Sequence, residues 1–163
     1  MLELKPERLD FDDYQDQTIS ICGKVFQADM SGALYWPAED ALIVADLHLE
    51  KGSSYARRGQ MLPPYDTRET LQRLAEVIDR YDAATVIALG DSLHDEEACQ
   101  RIGLEEHEIL QIMQEDRDWI WVTGNHDPKI GDRLGGTVTG AIEVEGIMLR
   151  HEPRRGHVTP QNP

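Results

Sequence analysis

Eight side chains able to grip a hard cation or move a proton fall in four short clusters. These are Asp46-Leu47-His48, Gly90-Asp91-Ser92-Leu93-His94, Gly124-Asn125-His126-Asp127 and, later, His151. Carboxylate, imidazole and amide donors without thiolate suit Mn, Fe, Zn or similar ions rather than a structural zinc cluster. Their number exceeds the needs of one ion, which points to two ions roughly 3.5–4 Å apart sharing a bridging carboxylate. Such a pair favours phosphoester hydrolysis, because both ions polarise the phosphoryl oxygens and a water between them ionises near neutral pH. No cluster is informative alone, since an Asp after a strand is also a common turn former. The signal is recurrence: of six histidines, His48, His94, His126 and His151 each follow a predicted strand within a few residues.

Those strands are short apolar runs. Ala41-Leu42-Ile43-Val44-Ala45 leads into Asp46, Thr85-Val86-Ile87-Ala88-Leu89 into Gly90-Asp91, and Trp119-Ile120-Trp121-Val122 into Gly124. Runs of this length and β-branched or aromatic character read as buried strands. In open α/β sheets ligands sit beyond the carboxyl ends of the strands, so these ends should converge on one site. Leu71, Leu74, Ala75 and Ile78 follow helical spacing and predict an amphipathic helix over 67–81, with Asp66 as N-cap and Glu69 three residues later. That helix makes a βαβ crossover, and one or two helices between Glu96 and Arg117, broken near Gly103, make a second, with Leu104, Leu110 and Met113 facing inward. His107, among Glu105, Glu106 and Glu108, reads as exposed and idle. Upstream, Thr18–Ala28 with a turn at Gly23-Lys24 and Ala33–Trp36 read as an antiparallel edge. A short helix is expected over Glu50–Gly59, carrying Lys51, Arg57 and Arg58, and Pro128–Gly136 reads as a loop. Thr137–Val144 and Ile147–Arg150 read as a hairpin that delivers His151.

A chain of 163 residues with 40% hydrophobic content fits one domain with a real core, 18–163, behind an acidic arm over 1–17. The net charge of −15 argues against a protein that coats nucleic acid non-specifically, because it repels a phosphate backbone. Bound divalent ions reverse that field locally, so a phosphate substrate stays open. Cys22 and Cys99 form no metal-binding pair and read as buried, reduced thiols. No stretch reaches the ~18 apolar residues of a membrane span and no signal peptide is evident, so the expectation is a cytoplasmic protein.

In order and spacing, Asp46-x-His48, Gly90-Asp91-x-x-His94, Gly124-Asn125-His126-Asp127 and His151 resemble the motifs of the calcineurin-like metallophosphoesterases, across about 40–155. The text around Leu34-Tyr35-Trp36-Pro37, Val44–Gly52 and His151-Glu152-Pro153 is similar to one bacterial branch, the ligase-associated DNA-damage-response endonucleases. The resemblance implies an α/β sandwich of mixed β-sheets flanked by helices. It implies two divalent ions, Mn foremost with Zn, Fe or Mg as alternatives. Asp46 and His48 would hold the first ion, Asp91 would bridge, and Asn125 and His151 would hold the second. His126 would face the phosphate with Asn125 and protonate the leaving oxygen, with Asp127 orienting its ring, which suits a metal-free imidazole near neutral pH. His94 would contact substrate, and Glu50 and Lys51 are candidates to line the site. The implied substrate is a phosphodiester, DNA in repair, with a functional link to a DNA ligase.

The family pattern closes on Gly-His-x-His, whereas here Gly156-His157 is followed by Val158-Thr159. The expectation is therefore a chain lacking a C-terminal part, with a weakly held first ion, reduced activity and a sheet edge prone to self-association. Two other readings stand beside the endonuclease: hydrolysis of a small phosphoester, and a metal-free scaffold on the same fold. Arg150, Arg154 and Arg155 form a basic cluster beside His151 that suits DNA, and the −15 charge counts against that substrate.

Overall fold

In the computed structural model, residues 17–60, 65–127, 130 and 132–153 are described. The expected arm over 1–17 lies outside them, except that Gln17 already opens the first strand. One seven-stranded sheet runs in sequence order: β1 (Gln17–Ile21), β2 (Lys24–Ala28), β3 (Leu34–Trp36), β4 (Ala41–Val44), β5 (Thr85–Leu89), β6 (Asp118–Val122) and β7 (Thr137–Thr139). Strands β1 to β4 pair antiparallel and β4 to β7 parallel. Helices α1 (Lys51–Arg57) and α2 (Asp66–Tyr81) join β4 to β5, and α3 (Ala98–Arg101) and α4 (Leu104–Gln114) join β5 to β6. A two-stranded sheet, β8 (Ile142–Val144) with β9 (Ile147–Leu149), completes the described chain.

Alternation along the central strands assigns the two faces. Leu42, Val44, Val86, Ala88, Trp119 and Trp121 pack with Leu71, Leu74, Val77 and Ile78 of α2 and Leu110 and Met113 of α4. Ala41, Ile43, Ile87 and Val122 pack on the other face, where Ile142, Val144, Ile147 and Leu149 of the β8–β9 hairpin cover them. The parallel centre is thus sandwiched between helices and hairpin, and each fully buried Leu or Ile stabilises by about 1.5–3 kcal/mol. Placing β4, β5 and β6 side by side and parallel brings their carboxyl ends to one rim.

Several expectations are corrected. Tyr65, not Asp66, precedes α2, and the Asp66 carboxylate instead accepts the N–H of Gly52 at 2.8 Å, tying α1 to α2. Leu104 opens α4 exposed, because its position precedes the buried stripe of Leu110 and Met113. His107 is half-buried, its Nε2 2.6 Å from the carbonyl of Arg133, and so joins α4 to the 3-10 turn Asp132–Leu134. Thr137–Val144 is two strands rather than one: β7 extends the main sheet, the Thr139 hydroxyl donates to the carbonyl of Ala141, and β8 departs to the hairpin. Cys22 is exposed in the β1–β2 turn, while Cys99 is buried, and both are free thiols.

Candidate metal centre

Beyond the last ladder residues of β4 and β5 the two chains stay paired. Asp46 N–H donates to the carbonyl of Gly90 (3.1 Å), His48 N–H to Asp91 (3.0 Å), Leu49 N–H to Ser92 (2.9 Å), and His94 N–H to Leu49 (3.0 Å). This pairing holds Asp46, His48 and Asp91 at positive φ of 54°, 45° and 48°. Non-glycine residues there cost roughly 1–2 kcal/mol each and persist where surrounding bonds over-determine them. The strained turns swing three side chains to the same side of the rim.

Glycines let the segments close. A Cβ at Gly124 would overlap the Asp91 carboxylate, and one at Gly90 would overlap the His151 ring. Gly90 also sits at φ 81°, where a side chain is strained in any case. The fully buried Asp127 carboxylate then binds the assembly together. It accepts the N–H groups of Gly124 (2.8 Å), Leu93 (3.0 Å) and Asp91 (3.2 Å). Among the described residues its hydrogen bonds go to these backbone donors and none goes to the His126 ring, the partner that the resemblance implied.

At the rim, ligand atoms of Asp46, His48 and Asp91 lie within 4.8 Å of one another. Asp91 is buried, and its Oδ1 accepts the His126 N–H at 3.0 Å. Its Oδ2 lies 3.4 Å from His151 Nε2 and 3.9 Å from His126 Nε2. The His151 Nδ1 lies 3.2 Å from the carbonyl of Leu89. A carbonyl only accepts, so Nδ1 donates to it and Nε2 is the ring atom turned toward Asp91. Asn125 and His151 line one cavity of about 270 Å³, together with Arg150. The rings of His48, His94 and His126 form a triangle with centroids 5.4–5.9 Å apart. Burial, followed by the neighbouring His48, pushes the His94 imidazole below its ordinary pKa against the opposing pull of Asp95, so it is neutral at pH 7.

This donor set fits divalent ions. Asp46 and Asp91 converge, yet among the described residues neither has a Lys or Arg partner; only imidazoles face them. The Nδ1 of His48 is buried with no hydrogen-bond partner. Two like carboxylates held together by strained backbone, with imidazole nitrogens beside them, make a donor set suited to a divalent cation. The geometry therefore brings together Asp46, His48, Asp91, His126 and His151, with His94 alongside and Asn125 in the adjoining cavity. Glu50 is buried, and its Oε1 accepts the Thr67 hydroxyl at 3.0 Å. Arg154, Arg155, His157 and Thr159 lie outside the described residues. The sequence reading missed Tyr55, whose ring tilts against His94 with centroids 5.8 Å apart. Its helical spacing from Lys51 was the available signal.

A family model described as calcineurin-like phosphoesterase matches residues 41–155. Among solved structures, the crystal structure of Pseudomonas putida nuclease MPE is similar, with a TM-score of 0.71 and 30% sequence identity. That match covers 88% of this chain and 70% of the other. No curated protein gives a significant match.

Proposed function

This chain belongs to the calcineurin-like phosphoesterase family and is a hydrolytic phosphoesterase, and from that premise we propose that it is a metal-dependent phosphodiesterase acting on DNA. The observation that carries the reading is the meeting of Asp46, His48 and Asp91 within 4.8 Å, with His151 Nε2 3.4 Å from Asp91. Asp46 and His48 would hold one divalent ion and Asn125 and His151 a second, with Asp91 shared between them. When bound, such ions polarise the phosphoryl group and make water nucleophilic near neutral pH. Mn is the proposed metal.

The chain's own residues supply the rest. His126 is half-exposed at the rim, with no fixed partner stronger than the 3.9 Å approach to Asp91. It is free to meet the phosphate and donate a proton to the departing oxygen. Its backbone N–H, held by Asp91, fixes where that ring can swing. Neutral His94 contacts a non-bridging phosphate oxygen, and Asn125 offers an amide donor beside the second ion. Asp127 acts through the backbone, keeping the Gly124 and Asp91 turns in register.

The DNA substrate draws on the sequence similarity to the repair endonucleases and on the neighbour named as a nuclease. A repair role, a functional link to a DNA ligase and a cytoplasmic setting belong to the same proposal. Among the described residues no helix is long and apolar enough to cross a membrane. The −15 charge favours the alternative of a small phosphoester substrate. Incubation with Mn, circular plasmid and bis-p-nitrophenyl phosphate separates the two. Nicking that His126→Ala abolishes supports the DNA reading. Ester cleavage with intact plasmid supports the small substrate, and activity on neither overturns both.

A further inference from the structure

Helix α1 leaves the rim directly after His48, and its orientation is fixed from three sides. Asp66 accepts the Gly52 N–H, Arg101 Nε donates to Ser53 Oγ at 2.8 Å, and Ser54 is buried. Lys51 and Tyr55 fall at i and i+4 of the helix and Arg58, its C-cap, at i+7, so the three share one stripe. Tyr55 meets the His94 ring at 5.8 Å, and His94 in turn stacks on His126 at 5.9 Å with planes 22° apart. An aromatic row therefore runs from the proposed proton donor to this helix.

The charges around this face are already sorted. Asp95 is held by both guanidinium nitrogens of Arg101, and Glu97 pairs with Arg57. Among the described residues Lys51 and Arg58 have no carboxylate partner, and Glu96 is the remaining acid of the depression between α1 and α3. In a chain of net charge −15, an aromatic ring flanked by two uncompensated cations beside the reaction site is specific enough to need a role. Cations spaced around an aromatic platform match a phosphate–base–phosphate unit.

We propose that Lys51, Tyr55 and Arg58 form a nucleotide subsite, in which a base next to the scissile phosphate stacks on Tyr55 while Lys51 and Arg58 take flanking phosphates. This deepens the phosphodiesterase reading and rests on it. Tyr55 is a positioning residue for the strand, touching no reacting atom.

The test compares kcat/KM for an oligothymidylate with that for methyl p-nitrophenyl phosphate, which has the same reacting group and no base. In Tyr55→Ala the preference for the oligonucleotide should fall about tenfold, mainly through KM, and Tyr55→Phe should restore it. In Lys51→Gln and Arg58→Gln the salt dependence of oligonucleotide cleavage should flatten, by about 0.7 in the log–log slope per cation removed. A preference ratio unchanged in Tyr55→Ala, or a Tyr55→Phe variant as impaired as Tyr55→Ala, overturns the subsite. Unaltered protein that cleaves neither compound overturns the phosphodiesterase reading itself, a result distinct from a lost preference.

Discussion

Asp127 shows how one side chain can govern a site it does not enter. Its carboxylate satisfies the N–H groups of Asp91, Leu93 and Gly124 in a fully buried position. Removing it strands three donors where water cannot replace it, each costing about 1–3 kcal/mol. Asp127→Ala should therefore lower stability by roughly 3 kcal/mol or more, measured by denaturant unfolding, and should weaken metal binding alongside. An Asp127→Ala variant of normal stability but lost activity would instead favour direct contact with the His126 ring. Gly90 gives a second residue-scale case. Gly90→Ala adds a methyl where His151 sits and strains a backbone at φ 81°. Affinity for the ion that His151 is proposed to hold should fall at least about tenfold by isothermal titration, with the folded state retained.

At the scale of elements, the parallel trio β4, β5 and β6 was legible because each strand is a bare apolar run ended by Asp or Gly. Helix α2 was legible from its 3.6-residue stripe. What escaped the reading was long-range polar chemistry. Asp66 has the composition of an N-cap, but α1 lies close enough to offer the Gly52 N–H, a tertiary fact that local propensity cannot contain. Thr137–Val144 alternates like one strand, and only the distance between two sheets divides it. The clasp between α1 and α3 carries a pH prediction. Arg101 holds the Asp95 carboxyl well below its ordinary range, against burial that pushes it up. A depressed carboxylate stabilises fully above the unfolded pKa and loses that contribution as pH falls through the folded value. Arg101→Gln should thus be less stable at pH 7, by about 1 kcal/mol for a half-buried bidentate pair. The deficit should hold from neutral pH down through the ordinary carboxylate range and close only as pH approaches the depressed folded value, and a deficit that already closes between pH 7 and pH 5 would show that the ion pair is not its source.

For the whole molecule, the net charge of −15 and the cluster of uncompensated carboxylates describe a protein whose folded state favours cations. Any ion that binds only the folded form raises stability by mass action, about 2.7 kcal/mol at a hundred times Kd. Mn should therefore raise the thermal midpoint, and a chelator should reverse the rise. That Asp46, His48, Asp91, His126 and His151 would meet at one rim could be read from the sequence, because strand ends and ligand types repeat. The role of Asp127, the seating of His151 under Gly90 and the approach of Tyr55 could not, since each depends on segments 30 to 60 residues apart meeting face to face. The most direct test of the central claim is metal binding, by calorimetry and by metal analysis after gel filtration, in the unaltered protein and in Asp91→Asn. Two Mn sites in the former and almost none in the latter are expected. Equal Mn content in both proteins, or none in the unaltered one, would contradict the account.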